Sequence, residues 1–274
     1  RMAVISKNNS KKELWNAFKK RRVYAATGDK INIFFEINNK HMGSKINKSK
    51  KRSININISS ISALESVILF KNDTKFKVFN IKQKKEIQKK ITGSLEIAWG
   101  WGKKKSAIKW NGEVNLQKGK INDYQTCFRG IPKLEPNQRY HIKNSGLLNN
   151  FKIKKNTIKF KSTTTGNYSL KDPAYQSFKI NISSPLDDTL NIKISKKEYT
   201  VNIKDIVING SKVFYMKGWL SELIKIGPFN HQDELSFSKK IIDNKPINKT
   251  DRYRVEVIQN NGHRAWSSPI WVTK

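Results

Sequence analysis

The sequence predicts a mainly β protein built from antiparallel sheets, folded as a β-sandwich or a pair of packed sheets. Short segments in which apolar and polar residues alternate recur from residue 31 to the C terminus, and this period of two is typical of strands with one buried face. Asn-Gly and Asn-Asn-Gly sequences offer the turns that join such strands. An apolar content of 36% in 274 residues is sufficient for a large core or two smaller ones.

The first elements predicted are a strand and a helix. Residues 2–5 are apolar and read as the end of a buried strand. Ser10 and Glu13 have the spacing of a capping box, and the basic residues 19–22 suit the C-terminal end of a helix dipole. We therefore expect a helix at about residues 10–22. Its apolar stripe would consist of Leu14, Trp15 and Phe18.

Twelve later segments alternate as strands do. They are residues 31–38, 53–59, 66–72, 75–81, 94–100, 112–117, 157–162, 178–183, 190–195, 199–204, 253–259 and 268–272. Residues 217–228 suggest a second short helix between glycines. The last segment holds Trp266, Ile270, Trp271 and Val272 close together, which predicts a closing strand packed into a core because termini are ordered only when tied down.

The charge is strongly positive. Lys and Arg number 55 and Asp and Glu number 21, giving a net charge of +34 that attracts phosphates, nucleic acid, anionic membranes or acidic polysaccharides. Many lysines alternate with apolar residues, which favours a solvated cationic sheet face. A nucleic-acid partner is not favoured, because neither a basic sheet interleaved with aromatics nor an Arg-rich helix is apparent. No run of eighteen apolar residues predicts a transmembrane segment.

Few residues have the chemistry of a catalytic centre. Cys127 is the single cysteine, so an intramolecular disulfide is excluded. The four histidines, at positions 41, 141, 231 and 263, are scattered and form no His-x-His pair. The nearest approach to a ligand cluster is residues 231–234, His-Gln-Asp-Glu, which we interpret as a solvated loop. His263 is predicted at the tip of a hairpin. The sequence thus predicts no metal ligands in this chain.

Several blocks of the sequence carry a family resemblance. Arg21, Arg22, Tyr24, Thr27 and Gly28 form an R-R-x-Y-x-x-T-G pattern, and the next strand ends in Met42, Gly43 and Ser44. Further blocks follow in order at residues 95–121, at 160–170 and in the closing HRAWSSPIWV. Together they resemble the end of the PHP-type metal-dependent hydrolase domain, and the region after it, in a large and poorly characterised family of PHP-related proteins.

The resemblance implies the C-terminal portion of a metal-dependent hydrolase acting on phosphoesters. Residues 1–28 would be the terminal strand-helix unit of an α/β PHP-type barrel, and residues 29–274 a β-sandwich-like domain, as two packed sheets or two subdomains. Divalent metal ions and their ligands would belong to the upstream barrel, so this chain would be a fragment or one part of a split protein whose partner is that barrel. The alternative is a natural stand-alone β-domain. Such a parent favours a periplasmic or secreted location.

The resemblance also suggests residues that contact an anionic substrate. Arg21 or Arg22 could hold an anionic group in bidentate fashion, with Tyr24 and Thr27 donating hydrogen bonds. Alternatively, the arginines cap the helix C terminus and Tyr24 packs between domains. Trp99 and Trp101 could form a stacking platform, although a buried strand face is favoured. Whether the chain is itself an enzyme stays open, the alternative function being a non-catalytic module that binds acidic polymers, polysaccharide or nucleic acid.

Overall fold

The computed structural model describes residues 1–47, 49–82, 88–101, 108–128, 150–164, 175–218, 221–245 and 249–273. Its elements are mainly strands in four sheets, and the strand pairs whose register is described are antiparallel except for one parallel pair. This confirms the mainly β, antiparallel part of the predicted fold class. The chain divides into two compact units. The first unit comprises residues 1–85 and 231–274, and the inserted unit comprises residues 86–230.

The first unit contains twelve strands and two short helices within its described residues. Strands are numbered along the whole chain, so the numbers β9 to β18 belong to the inserted unit. The elements of the first unit are β1 (Met2–Val4), α1 (Lys11–Lys19), β2 (Val23–Ala26), β3 (Ile31–Ile37), β4 (Lys40–His41), β5 (Lys45–Asn47), β6 (Arg52–Ser60), β7 (Leu64–Lys71), β8 (Thr74–Asn80), a 3-10 helix (Gln232–Glu234), β19 (Ser236–Asp243), β20 (Thr250–Gln259), β21 (Arg264–Ser267) and β22 (Ile270–Thr273).

The inserted unit supplies the strands between β8 and β19. They are β9 (Lys90–Gly100), β10 (Ile108–Leu116), β11 (Lys120–Thr126), β12 (Asn150–Lys154), β13 (Thr157–Thr164), β14 (Tyr175–Pro185), β15 (Thr189–Ile194), β16 (Lys197–Asn202), α2 (Ile203–Asn209), β17 (Lys212–Tyr215) and β18 (Leu223–His231). Among the described residues, no helix has the length and apolar character needed to cross a membrane.

The first unit is a sandwich of two sheets. Strand β20 is central to an eight-stranded sheet, because it pairs with β7 on one side and with β21 and β22 on the other. The second sheet has the order β19-β6-β3-β4. Alternate residues of both sheets, such as Phe35 and Ile56 of the smaller and Leu69 and Val255 of the larger, are buried in one core. The alternation seen in the sequence therefore positions these strands.

The inserted unit is a second sandwich. Its sheets have the orders β12-β13-β10-β15-β16 and β11-β14-β9-β18-β17. Trp99 from the second sheet lies with its ring centroid 4.3 Å from that of Phe160 in the first, and Phe178 lies 5.5 Å from Phe160. The carboxylate of Asp188, fully buried, accepts hydrogen bonds from the Gly119 amide at 2.7 Å and from three further donors, which fixes the turns beside the core.

Each of the twelve predicted strand segments overlaps an observed strand. Tight turns join several of them: Asn38 and Asn39 between β3 and β4 both have positive φ, as do Asn72 and Asp73 between β7 and β8, a pattern of type I′ hairpins that asparagine and aspartate tolerate. The predicted N-cap is also present, since Ser10 Oγ accepts a hydrogen bond from the Glu13 amide at 3.3 Å.

Three predictions differ from the structure. Helix α1 buries Ala17, whereas Trp15 and Phe18 of the predicted stripe are 60% and 38% exposed. The helix predicted at 217–228 was wrong, because Ile224 and Ile226, two residues apart, are both buried in strand β18. A helix was instead missed at Ile203–Asn209, where Ile203 and Ile206 reach the core at helical spacing.

The closing segment is a strand, as predicted, but its tryptophans do not enter the core. Ile270 and Val272 are fully buried, whereas Trp266 and Trp271 are half-buried on the opposite face. In the N-terminal segment expected to end a barrel, β1 and β2 pair antiparallel with each other, and β2 pairs with β21. Residues 1–28 thus contribute to the eight-stranded sheet, and the structure shows no barrel there.

A buried ionic network joins the two sheets of the first unit. The Asp243 carboxylate on β19 accepts a hydrogen bond from the Tyr253 hydroxyl at 2.6 Å and lies 2.9 Å from Lys71 Nζ and 3.2 Å from the Arg52 guanidinium. Lys71 Nζ also lies 3.0 Å from Asp251. Four of these residues, Arg52, Asp243, Asp251 and Tyr253, are at most 1% exposed.

Protonation in this network is strongly biased. Burial alone would raise the pKa of Asp243, but hydrogen bonds from Tyr253, Lys71 and Arg52 outweigh it and hold the pKa well below its usual value. Burial, together with the hydrogen bond to Asp243, raises the pKa of Tyr253 to about 12. The folded chain therefore favours a charged Asp243 beside a protonated Tyr253.

We expect the free energy of unfolding to fall at both extremes of pH. Below about pH 4 the Asp243 carboxylate binds a proton in the unfolded chain but stays ionised in the folded chain, so stability decreases with falling pH. Between about pH 10 and 12 unfolded tyrosine loses its proton while Tyr253 keeps it, so stability decreases with rising pH. Urea titrations at a series of pH values measure both the acid and the alkaline decrease in the free energy of unfolding.

Variants test whether Asp243 and Tyr253 cause these two decreases in stability. Asp243→Asn should destabilise the fold at pH 7 by about 3–5 kcal/mol, because Arg52 and Lys71 would keep buried charges without their shared partner. Tyr253→Phe should destabilise the fold by about 2 kcal/mol and reduce the loss of stability between about pH 10 and 12. Tyr124→Phe, at an exposed site, is the control. Equal losses for the two tyrosine variants would contradict a special role for the network.

Candidate functional site

Arg21 lies directly after helix α1 and is held by the backbone and an aromatic ring. It has a positive φ of 53°, its Nε donates a hydrogen bond to the Gly43 carbonyl at 3.1 Å, and its guanidinium lies 5.3 Å from the centroid of the Trp271 ring. The side chain of Arg21 thus bonds to the M-G-S segment, whereas its backbone amide donates a hydrogen bond to the Phe18 carbonyl at the end of the helix. Arg22 is half-buried, and its carbonyl accepts a hydrogen bond from the Ile5 amide.

Gly43 occupies a position that has no room for a side chain. Its φ is +87°, and a Cβ atom there would lie 2.3 Å from the Lys20 carbonyl oxygen. Its amide donates a hydrogen bond to the Pro269 carbonyl at 2.9 Å, and the Ser44 carbonyl accepts one from the Trp271 amide at 3.0 Å. The R-R, M-G-S and S-P-I-W motifs therefore meet in space, although more than 200 residues separate the first from the last.

Tyr24 is turned into the first unit rather than toward an open site. Its side chain is buried, and its hydroxyl donates a hydrogen bond to the Ile31 carbonyl at 2.8 Å. Burial raises the pKa of this hydroxyl. The residue is part of the same core as β3 and β20, so its observed role is in packing.

Thr27 and His263 form a contact that the sequence reasoning did not foresee. The Thr27 hydroxyl lies 3.0 Å from His263 Nδ1 and accepts a hydrogen bond from the Arg264 amide at 3.0 Å. His263 Nε2 lies 3.8 Å from Asp29 Oδ1. Gly28 provides the space for the imidazole, since a Cβ atom on it would lie 2.2 Å from the ring. Gly28 is the only local indication in the sequence, since a glycine is consistent with a turn that has no room for a side chain.

This cluster has the order hydroxyl, imidazole, carboxylate. In the neutral tautomer with the proton on Nε2, Nδ1 accepts from the Thr27 hydroxyl and the N–H points toward Asp29. However, 3.8 Å is too long for a hydrogen bond, and Asp29 Oδ2 already accepts from Ser62 at 2.6 Å and Asn261 at 2.8 Å. The arrangement holds the β20–β21 turn against the residues after β2.

Other candidate residues lie apart from this cluster. Trp99 is fully buried in the inserted unit, as favoured from its alternation, whereas Trp101 stacks on Tyr175 with ring centroids 4.3 Å apart. Residues 232–234 form the 3-10 helix, in which the Glu234 carboxylate accepts a hydrogen bond from the His231 amide at 3.1 Å. His141, residues 102–107 and residues 165–170 of the motif blocks lie outside the described residues.

Metal ligation has no centre in the described part of the chain. No three His, Cys, Asp or Glu side chains there lie close enough together to hold an ion. The four substrate-binding candidates do not converge either: Tyr24 faces the core, Arg21 faces Gly43 and Trp271, and Thr27 faces His263. Arg21, Tyr24 and Thr27 thus each contact other residues of the first unit.

Comparison with known proteins gives no relative. No protein-family model matches this chain, and no curated protein or solved structure does. The resemblance to PHP-related hydrolases therefore rests on the sequence motifs alone and stays a hypothesis.

We expect Gly43→Ala to destabilise the first unit more than Gly262→Ala. Both glycines have positive φ, at 87° and 82°, but a Cβ on Gly262 would meet no atom within 4 Å. The control should lose about 1–2 kcal/mol from backbone strain, and Gly43→Ala a further 1–3 kcal/mol or so from the clash with Lys20. Denaturant unfolding measures the difference. Equal losses would mean that the close approach of the chains at Gly43 has no energetic consequence.

Proposed function

We propose that this chain is the C-terminal β portion of a PHP-related metal-dependent hydrolase. In this proposal an upstream α/β barrel holds the divalent metal ions, which activate water for attack on a phosphoester. The described residues of this chain do not fit a metal centre, so no chemical step is assigned to them. Their role is to pack against the barrel and to shape access to its site.

The observation that supports this proposal is apolar exposure in the N-terminal segment. Met2 and Trp15 are 60% exposed and Phe18 is 38% exposed. All three lie within residues 1–28, the segment whose motif resembles the end of the barrel. Exposed large apolar side chains grouped in one segment are typical of a surface that contacts another polypeptide. An upstream barrel is the partner that the resemblance implies.

The meeting of the three motifs lends further support. A family signature made of distant blocks is expected when those blocks form one structural unit, and here Arg21 contacts both Gly43 and Trp271. Arg22 differs from Arg21, because its side chain has no hydrogen bond or ion pair within the described residues. It is therefore the residue that we assign to an anionic group at the edge of the barrel.

A native mass spectrum of the protein isolated from its natural source, with metal analysis of the same sample, tests the proposal. We expect a species heavier than the 31.7 kDa of this chain by a barrel-sized polypeptide and carrying divalent metal. It should hydrolyse bis(p-nitrophenyl) phosphate, and a chelator should abolish turnover. A metal-free species of 31.7 kDa without turnover would overturn the proposal.

A charge placed on α1 tests the docking surface. Trp15→Glu should weaken the association with the barrel at least tenfold, because an ionised side chain would be buried at the contact. It should leave the isolated chain as stable as before, since Trp15 is exposed there. Val213→Glu, at a site 45% exposed in the inserted unit, is the matched control. Equal association of the two variants would contradict a contact through α1.

A second function, binding of an acidic polymer without catalysis, is favoured by the distribution of lysines. In the inserted unit, exposed lysines occupy alternate positions of β12 and β13. Polymer binding driven by these charges would weaken steeply as salt increases, because each neutralised anionic group releases a counterion. Titration of the isolated chain with a polyanion at several salt concentrations measures this, and affinity that is insensitive to salt would exclude it.

A further inference from the structure

The outward face of the sheet β12-β13-β10-β15-β16 carries its polar side chains in cross-strand rows. Residues directly opposite on antiparallel strands share a face, so the pairing registers define the rows. The first row contains Lys152, Lys159, Glu113, Lys193 and Glu198. The second row contains Lys154, Thr157, Asn115, Asn191 and Thr200, and a third row begins with Asn150, Lys161 and Asn111. We call this surface the polar face.

The charges of the polar face do not balance. Glu113 lies 3.1 Å from Lys159 and Glu198 lies 2.9 Å from Lys193, so each carboxylate has one lysine partner. Lys152 has no ion-pair partner within the described residues, and its direct neighbour across the strands is Lys159. Like charges directly opposite destabilise a strand pair. A bound anion would relieve this repulsion on the hairpin of β12 and β13.

The second row offers neutral hydrogen-bonding groups beside the lysines. Asn115 Nδ2 donates to Thr157 Oγ1 at 2.8 Å, and Thr200 Oγ1 donates to Asn191 Oδ1 at 3.1 Å. These bonds link the side chains within the row, while each amide and hydroxyl keeps further donor or acceptor capacity. The row is therefore pre-organised to bond with hydroxyl groups of a ligand.

Two open hollows extend along the polar face. One, of about 650 Å³, is lined by Asn115, Lys152, Lys154 and others, and the next, of about 410 Å³, is lined by Asn111, Lys193 and others. Glu113 and Lys159 line both. The hollows thus adjoin each other across the strands, which suits an extended ligand more than a compact one.

We infer that the polar face binds a linear acidic polysaccharide, with lysines on its carboxylates and with asparagine and threonine side chains on its hydroxyls. This inference rests on the second function proposed above and names its surface and polymer class. Single-stranded nucleic acid is disfavoured because its binders stack bases on aromatic rings, and the three rows contain no aromatic residue. The rows also lack apolar side chains that would enter a membrane.

Calorimetric titration of the isolated chain with polygalacturonate, a linear polyuronate, tests the inference. The double variant Lys152→Gln with Lys161→Gln removes two charges from the polar face. The control, Lys75→Gln with Lys77→Gln, removes two charges from exposed positions of the first unit. We expect about a tenfold loss of affinity and a shallower salt dependence for the first variant alone. Its melting temperature should be unchanged or higher, because repulsion with Lys159 is relieved.

The possible failures are distinguishable. Equal losses in the two variants would overturn the polar face as the site while leaving charge-driven binding by the chain as a whole. Tighter binding of single-stranded DNA than of polygalacturonate, at equal charge concentration, would overturn the polymer class. No detectable binding of either polymer at low salt would overturn the second function and this inference together.

Discussion

The first unit depends on the charge of one buried carboxylate. Asp243 on β19 and Arg52 on β6 belong to the four-stranded sheet, whereas Lys71 on β7 and Tyr253 on β20 belong to the eight-stranded sheet. The carboxylate therefore links both layers of the sandwich, and its own side chain is fully buried. Apolar packing alone allows sheets to slide relative to each other, but a set of charges that satisfy each other only at one alignment does not. The network thus makes the alignment of the layers specific.

The residues that suggested a substrate site have structural roles that explain their chemical types. Gly43 is a glycine because the backbone after α1 passes against it, and Gly28 leaves space for the His263 ring. Arg21 satisfies a carbonyl and covers Trp271. The residue types of a motif can therefore reflect close packing between distant segments of the chain. The proposal of a hydrolase parent does not need these residues in the chemistry, since it assigns the metal ions to an upstream barrel.

The strands and turns were largely predictable from the sequence, because alternation and asparagine-rich turns are local signals. The division into units was not, since β20 joins β7 across the whole inserted unit and such a pairing leaves no local trace. The network was hidden for the same reason: Asp243 and Lys71 read as ordinary surface charges. The contact between Thr27 and His263 also required the fold, although the adjacent Gly28 indicated that space was needed.

The insertion of one sandwich within the other has a consequence for the order of synthesis. All strands of the inserted unit leave the ribosome before β20, the central strand of the eight-stranded sheet, has been made. The inserted unit can therefore fold as soon as it emerges. Strand β7 cannot pair with β20 until β20 has been made, and β7 has side chains that are buried on both faces in the finished protein. During this interval the nascent first unit exposes the apolar side chains of β7, which are a binding site for chaperones at this stage of synthesis.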